Sequence, residues 1–400
     1  MRDRSSRGLN WLLGSSAVTN LGDGIGKVAF PLLATTVTRD PLLIAGLSAA
    51  QFVPWLLFAV LAGALLDRID RRKAIVYANL ARAAAVGAMA TLVLLDAVSI
   101  WAVYAAALLV GAAETVADSA ANVLIPSVVG ERGKLAGANS KLQATEILGQ
   151  TFLGGPIGSL TFALFAAMPF LLNSFAFAIG AALMMAVAGS FRPKPSSAQR
   201  SLKADLGEGL RWLRGNSLLL RLVLIAGLFS LVTEFAQAQL VLYALEDLGL
   251  EPAAFGVFAF VGGIGGLAGA AIAPRLLGRL GRRAVLVSGI VTAAIGFGGM
   301  GLSGDPVLSS VLFGLFAGAV VVVNVMLATA RHELVPGELL GRVLGVWRTI
   351  VWGAIPVGAL LGGVLTDLLG SPSTTFAISG GLLLALAAVA LVSFRPSSPT

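Results

Sequence analysis

The sequence predicts an all-α membrane protein in which twelve transmembrane helices form two pseudo-symmetric six-helix bundles. Three observations predict this fold class: the composition, the positions of the basic residues, and an internal repeat. Of the 400 residues, 57% are hydrophobic and 12% are charged, whereas charged residues make up about 25% of an average soluble protein. The composition therefore indicates that lipid is the solvent of this chain.

Twelve apolar segments are separated by short polar loops, and each approaches or exceeds the ~20 residues that a helix needs to cross the hydrocarbon core. We expect all twelve to be helical, because a helix satisfies its own backbone hydrogen bonds in lipid. The segments lack the alternation of apolar and polar residues that barrel strands require. They cover residues 10–38, 42–66, 74–95, 99–129, 135–165, 168–190, 218–245, 253–274, 284–303, 306–331, 339–369 and 373–394.

The basic residues fall on alternate loops, which supports the division independently of hydropathy. Arg39 is the lone basic residue in the loops of one side, whereas the loops of the other side begin with Arg2, Arg4 and Arg7. Loops rich in Lys and Arg stay in the cytoplasm. We therefore expect a multi-pass protein of the plasma (inner) membrane with both termini cytoplasmic and the first helix retained. Basic residues spread over separate loops argue against a nucleic-acid partner.

The longest polar segment predicts the domain organisation. Residues 192–217 separate an N-terminal six-helix bundle, residues 1–191, from a C-terminal six-helix bundle, residues 218–400. Within this cytoplasmic linker, leucines recur at helical spacing opposite two arginines over residues 206–214. This pattern predicts a short amphipathic helix on the inner membrane surface.

The two halves repeat three short patterns in the same order, which is typical of duplicated membrane folds. The corresponding ranges are 67–72 with 278–283, 124–126 with 334–336, and 155–158 with 355–358.

The residue types available exclude several classes of chemistry. The chain has no cysteine and one histidine, His332, so we expect no disulfide, no thiolate chemistry and no metal cluster. Two glycine-rich runs, residues 22–27 and 262–269, lack the spacing or the preceding strand of a nucleotide-binding loop. The four-residue spacings of the second run favour close helix packing instead. We expect no enzyme activity and no cofactor.

The loop between the second and third segments resembles the signature Gly-x-x-x-Asp-Arg-x-Gly-Arg-Arg of the major facilitator superfamily. One position departs from it, because Asp70 stands where the family usually has Gly. The resemblance implies that Asp67 holds a gate against the eleventh helix and that the arginines bind acidic partners at the inner rim. The alternative is that these arginines only follow the positive-inside rule. The matching residues are Gly63, Asp67, Arg68, Arg71 and Arg72.

Further stretches resemble the branch of that superfamily that contains enterobactin exporters and macrolide efflux pumps; they include residues 20–23, 169–174, 208–213 and 333–346. The resemblance implies a secondary active transporter that exports a small amphiphilic organic compound of the drug or siderophore type. It also implies proton antiport with alternating access, with the substrate, protons and the lipid bilayer as partners of a monomer. Two alternatives remain: import of a nutrient or movement of a lipid by the same fold, and a non-transporting scaffold or sensor.

Acidic residues deep in the segments are the proton-coupling candidates, because ionisable groups are costly in lipid and face a cavity or a partner. Asp23 is the first choice, and Lys27 lies on the same helix face; a permanent Asp23–Lys27 ion pair is the alternative. Glu114 and Asp118 are also four residues apart and would share a proton, or would belong to a polar seam between helices. The fourth segment lacks the arginine that many proton-coupled drug exporters carry there. The full candidate set is Asp23, Glu114, Asp118, Glu146 and Glu234.

The candidates for a substrate cavity are polar and aromatic side chains of the same segments. Glu234 and Arg348 are expected either to pair across the cavity or to bind substrate directly. Arg82 and Lys141 are interpreted as structural residues whose side chains reach the cytoplasmic interface. The Gly155-Pro156-x-Gly158 element resembles the antiporter signature of the superfamily, with Ser159 where Gly is common. The cavity candidates are Gln143, Gln237, Arg348, Phe52, Trp55, Phe235 and Trp347.

Overall fold

A computed structural model describes residues 2–66, 69–129, 135–189, 191 and 202–393, and every regular element among them is a helix. Two π-helical stretches interrupt the helical order, Ile147–Gly154 between α5 and α6 and Tyr243–Asp247 after α10. The helices are α1 Arg2–Val37, α2 Pro41–Leu66, α3 Arg71–Leu94, α4 Ile100–Val129, α5 Leu135–Glu146, α6 Gly155–Leu164, α7 Met168–Met185, α8 Leu202–Gly215, α9 Ser217–Gln237, α10 Leu240–Leu242, α11 Pro252–Leu302, α12 Pro306–Leu334, α13 Gly337–Leu369 and α14 Pro372–Ser393.

The predicted twelve-segment, all-helical fold is confirmed. Among the described residues, nine helical stretches are long and apolar enough to cross a membrane, and Pro41–Leu57 of α2 is a shorter apolar helix. The long helix α11 contains two of the predicted segments. Gly281 divides it, with a φ of 75° and a ψ of 167°. Residues that have a Cβ rarely adopt this backbone conformation. Residues 278–283, which repeat the signature of the loop between the second and third segments, therefore lie at a break between two helices.

The helices cluster into two compact units. The first unit draws on residues 1–39, 50–197 and 251–260, and the second on residues 40–49, 198–250 and 261–400. The predicted bundle boundaries remain a prediction, and most of the first half of the predicted linker, residues 192–201, lies outside the described residues.

Helix α8 forms where the amphipathic segment was predicted. Its Leu213 is fully buried, and the Arg342 guanidinium of α13 donates a 2.6 Å hydrogen bond to the Glu208 carboxylate of α8. Two segments that carry the family resemblance, residues 208–213 and 333–346, therefore contact each other in the second unit.

Small residues allow close helix packing in the second unit, as the spacing of residues 262–269 predicted. Gly265 and Gly269 of α11 lie directly against the backbone of Gly314 and Gly318 of α12. The two glycines of each helix are four residues apart, so they lie on one helix face. Small residues on that face let the two backbones approach each other closely.

Candidate functional site

Asp23 of α1 and Arg82 of α3 form a buried ion pair in the first unit. The Arg82 side chain is 2% exposed and the Asp23 side chain 10%. The guanidinium carbon of Arg82 also lies 3.9 Å from the centroid of the Phe177 ring, a cation–π contact. A second arm of the guanidinium donates to the Asn79 amide oxygen at 3.4 Å. The pair is therefore enclosed by α1, α3 and α7.

The sequence-based interpretation of Arg82 was wrong, and so was the alternative pairing of Asp23 with Lys27. Arg82 occupies the middle of the 24-residue helix α3, too far from either end for its side chain to reach the interface, and it turns inward to Asp23. That depth is the signal in the sequence that could have identified it.

Lys27 joins a separate chain of hydrogen bonds. Its Nζ donates to the Gln150 Oε1 at 2.5 Å, and the Gln150 Nε2 donates to the Asn20 Oδ1 at 2.7 Å. Gln150 lies in the π-helical stretch Ile147–Gly154, an element that often occurs at functional sites. Lysine and aspartate on one face of α1 therefore contact different neighbours.

Two further predicted carboxylates lie near the Asp23–Arg82 pair, and a third lies near one of them. Glu114 of α4 is within electrostatic range of Asp23, Arg82, Lys27 and Asp118, and Asp118 is also within range of Glu146. Glu114 is partly buried, whereas the side chains of Asp118 and Glu146 are exposed. We call Asp23, Arg82, Lys27, Glu114, Asp118 and Glu146 the first-unit charge cluster. It contains more carboxyl groups than basic groups.

The proline–glycine elements of the two halves each pack against a helix that carries one of the predicted acidic residues. A Cβ on Gly158 of α6 would lie 2.8 Å from the Ile25 carbonyl oxygen, two residues after Asp23. Gly358 of α13 lies against the backbone of Leu231 and the Cβ of Glu234 in α9. The repeated sequence element thus has the same structural role in both units, which supports the duplication.

Glu234 has no basic partner among the described residues. Its Oε2 is buried without a hydrogen-bond donor, and so is the Oε1 of Gln237, one turn further along α9. The expected pair with Arg348 does not form, because the Arg348 guanidinium lies over the Trp352 ring instead, 5.1 Å from its centroid.

The remaining cavity candidates do not form one group. Trp347 is 3% exposed and lies under the guanidinium of Arg331. Phe52 and Trp55 of α2 are partly buried in the first unit, and Phe235 is partly buried in the second. Gln143 is exposed on α5. Their role in a substrate cavity stays a prediction.

The structure describes part of the loop that carries the superfamily signature, between α2 and α3. Asp67 and Arg68 lie outside the described residues, and Gly63 lies in α2. Arg71 begins α3, and its Nε is buried without an acceptor. We expected Arg72 to bind an acidic partner, but its Nη1 donates to the Val187 carbonyl oxygen at 2.7 Å. Arg72 therefore connects the start of α3 to the chain just after α7.

The contacts of Asp70 explain why this position departs from the superfamily pattern. It is the N-cap of α3, because its Oδ1 accepts hydrogen bonds from the backbone N–H groups of Arg72 and Lys73, and its Oδ2 accepts one from the N–H of Phe191 at 3.0 Å. A carboxylate at a helix N-terminus also interacts favourably with the helix dipole. The aspartate therefore caps α3 and fastens the chain after α7 to it, which glycine could not do.

Replacing Asp70 with alanine is expected to lower the free energy of unfolding by about 1–2 kcal/mol, because a cap is lost and the Phe191 N–H loses its acceptor. The thermal midpoint of the purified protein, followed by tryptophan fluorescence, measures the effect. Asp305→Ala is the matched control, since Asp305 caps α12 through the Leu308 N–H without a distant contact of this kind. Equal losses for the two variants would contradict the fastening role.

Ser159 also departs from the superfamily pattern and has a defined contact. Its buried hydroxyl lies 2.8 Å from the Ala253 carbonyl oxygen, to which it donates, and accepts a hydrogen bond from the Gly256 N–H at 3.0 Å. The Pro252 carbonyl is also within its reach. The serine hydroxyl therefore hydrogen-bonds backbone groups at the start of α11, which a glycine could not do.

Comparison with known proteins gives consistent matches over nearly the whole chain. A family model described as "Transmembrane secretion effector" matches residues 6–398. The multidrug efflux pump Tap of Mycolicibacterium fortuitum is 27% identical over 397 residues, which cover 96% of this chain and 95% of that protein. The macrolide efflux protein A of Streptococcus pyogenes is 24% identical over 404 residues, covering 95% and 96%.

Solved structures share the fold at lower sequence identity. A crystal structure of the nucleoside transporter NupG superposes with a TM-score of 0.80 at 15% identity, covering 97% of this chain and 100% of that one. A bacterial homologue of the iron transporter ferroportin in the inward-facing state has a TM-score of 0.73 at 17% identity, covering 97% and 98%.

Proposed function

Because the chain belongs to the transmembrane secretion effector family of major facilitator superfamily transporters, we propose that it exports a small amphiphilic organic compound of the drug or siderophore type by proton antiport. Family membership makes it a multi-span membrane transporter of small molecules rather than an enzyme. The names of the multidrug and macrolide pumps that it resembles support the direction of transport and the chemical class of the cargo.

The first-unit charge cluster is the observation that carries proton coupling. Carboxyl groups outnumber basic groups there, and three of them, Glu114, Asp118 and Glu146, lie on helical stretches that are long and apolar enough to span a membrane. Excess negative charge in lipid is costly, so at least one proton is held by the cluster. Loss of that proton changes the charge that Arg82 and Lys27 face, which gives the helices α1, α3 and α4 two electrostatic states.

In this mechanism the Asp23 carboxylate holds Arg82 in place. Glu114 and Asp118 together take up and release the proton. Protonation from the outside weakens the attraction of the cluster for its two basic groups, and release of the proton to the cytoplasm restores it. Alternating access couples these two states to substrate binding and release. Glu234, whose Oε2 lacks a donor, is a second protonation position in the other unit.

The location that we propose is the plasma (inner) membrane, with both termini in the cytoplasm and the protein working as a monomer. The distribution of basic residues over alternate loops supports this orientation. In it, the loop that precedes α3 and the helix α8 both face the cytoplasm, where Asp67 and Arg68 would form part of the gate.

Replacing Asp23 with asparagine is expected to abolish concentrative transport, because the cluster loses the carboxylate that holds Arg82. Everted membrane vesicles with an acidified interior provide the measurement: the wild type accumulates a radiolabelled macrolide inside, and Asp23→Asn does not. Asp96→Asn is the matched control. Asp96 lies in the exposed loop between α3 and α4 with a φ of 50°, a conformation that asparagine tolerates.

Exchange of labelled for unlabelled macrolide without a proton gradient shows whether a variant has lost only proton coupling or has failed to fold. We expect Glu114→Gln, which leaves the Asp23–Arg82 pair intact, to retain exchange while accumulation is lost. Full accumulation by Asp23→Asn and by Glu114→Gln would refute proton coupling through the cluster. Accumulation only in right-side-out vesicles would identify an importer, and no flux in either orientation with any tested amphiphile would favour a scaffold.

A further inference from the structure

Two arginines of the second unit stack on two tryptophans. The guanidinium carbon of Arg331 in α12 lies 4.6 Å from the centroid of the Trp347 ring, and that of Arg348 lies 5.1 Å from the Trp352 ring. Trp347 and Arg348 are consecutive on α13, and Trp352 follows Arg348 by one helical turn. We call these four side chains the arginine–tryptophan cluster.

Neither arginine has an acidic partner among the residues that the structure describes. The acidic side chain nearest to Arg331 in the sequence, Glu333, pairs with Arg282 instead. The Nε of Arg331 is buried and has no acceptor. The two guanidinium groups are also close enough to repel each other electrostatically.

The aromatic contact does not compensate for this arrangement at Arg331, whose side chain is partly buried. A cation–π contact contributes about 0.5–1 kcal/mol where it is exposed, whereas the effective cost of desolvating one ion is several kcal/mol. The Arg348 side chain is exposed, and Arg348 is the twelfth residue of α13, a helix of 33 residues, so its charge lies well inside the span. An anion from outside the chain would remove the repulsion and supply acceptors to both guanidinium groups.

We propose that the arginine–tryptophan cluster is a binding site for the carboxylate or phosphate group of an anionic amphiphile. Planar guanidinium groups bind such oxyanions through paired hydrogen bonds, and the partly exposed ring of Trp352 offers apolar surface to the part of the ligand next to the charge. The same chemistry occurs in anionic lipid headgroups and in soluble amphiphilic acids. Binding needs no ion gradient, so this inference is tested separately from proton-coupled export.

A matched pair of fluorescent ligands tests the site on the full chain in phosphatidylcholine nanodiscs. 1-Pyrenebutyrate carries a carboxylate, and 1-pyrenebutanol has the same ring system without charge. Energy transfer from tryptophan to pyrene reports binding, with empty nanodiscs subtracted. We expect Arg331→Gln and Arg348→Gln each to weaken the binding of pyrenebutyrate about tenfold, equivalent to ~1.4 kcal/mol, and to leave the binding of pyrenebutanol unchanged.

The controls separate charge from folding. Arg331→Lys keeps the positive charge and is expected to recover part of the affinity. Arg275→Gln removes the same charge from an exposed position of α11 and is expected to bind pyrenebutyrate as the wild type does. Unchanged thermal midpoints show that the variants are folded.

Nanodiscs that also contain phosphatidylglycerol identify the source of the anion. Competition with pyrenebutyrate, which disappears in Arg331→Gln, supports the site with a lipid headgroup as its ligand. No competition supports the site with a soluble amphiphilic acid as its ligand. The proposal is overturned if the folded Arg331→Gln/Arg348→Gln double variant binds pyrenebutyrate like the wild type, or if Arg275→Gln weakens binding equally.

Discussion

Replacing Arg82 with glutamine is expected to destabilise the protein by about 3–5 kcal/mol, because removal of one partner leaves the other charge of a buried pair uncompensated. Arg82 is 2% exposed and holds Asp23, Asn79 and the Phe177 ring together. Glutamine reaches less far and carries no charge, so the Asp23 carboxylate must take up a proton or draw in water. The thermal midpoint and the yield of monodisperse protein in detergent measure the loss.

A double-variant cycle shows whether the cost belongs to the pair. Asp23→Asn/Arg82→Gln is expected to be more stable than Arg82→Gln alone, since no charge is then left unpaired. Arg221→Gln is the matched control, because Arg221 is exposed on α9 and its guanidinium donates to the Ser393 carbonyl. A wild-type midpoint for Arg82→Gln would contradict the structural role of the pair.

Replacing Gly265 with valine is expected to cost about 3 kcal/mol or more, because an added side chain meets backbone that cannot move aside. A Cβ at this position would overlap the carbonyl group of Gly314, and one turn later a Cβ on Gly269 would lie 2.8 Å from the Gly318 Cα. Helices α11 and α12 would have to separate along this entire contact. Much lower yield and a reduced thermal midpoint are the expected readouts.

Gly381→Val provides the comparison for this contact. Gly381 lies in the interior of α14, and a Cβ added to it would meet no heavy atom within 4 Å, so the substitution changes helix propensity without a clash. Gly318→Val, from the other side of the contact, is expected to behave like Gly265→Val, because a Cβ on Gly318 would lie 2.8 Å from the Gly265 carbonyl oxygen. If Gly265→Val were no worse than Gly381→Val, the close packing of α11 on α12 would be refuted.

Much of the fold could be predicted because membrane insertion depends on local composition. Each span must satisfy its own backbone hydrogen bonds in lipid and must be apolar over about 20 residues, and both properties are visible in a short window of sequence. The break at Gly281, the amphipathic helix α8 and the small-residue face of α11 were likewise visible as local patterns. Their packing partners were not.

The candidate site was harder to predict because charge pairing depends on which helices meet. Asp23 was identified from its depth in α1, yet its partner is Arg82, 59 residues away, rather than Lys27 on the adjacent turn. Glu234 and Arg348 were expected either to pair or to bind substrate directly; they do not pair, and each has a different environment in the second unit.

By itself, the sequence determined that this chain is a twelve-segment helical membrane protein with a duplicated pattern and with acidic residues inside its apolar segments. The tertiary structure alone decided that Asp23 binds Arg82, that Asp70 fastens the chain after α7 to α3, and that Arg331 and Arg348 stack on tryptophans. The physical reason is the distance along the chain over which each effect operates. Hydropathy is a property of neighbouring residues in the sequence. A buried charge is stabilised by a side chain that packing brings within hydrogen-bond distance, and that side chain can come from a distant part of the sequence.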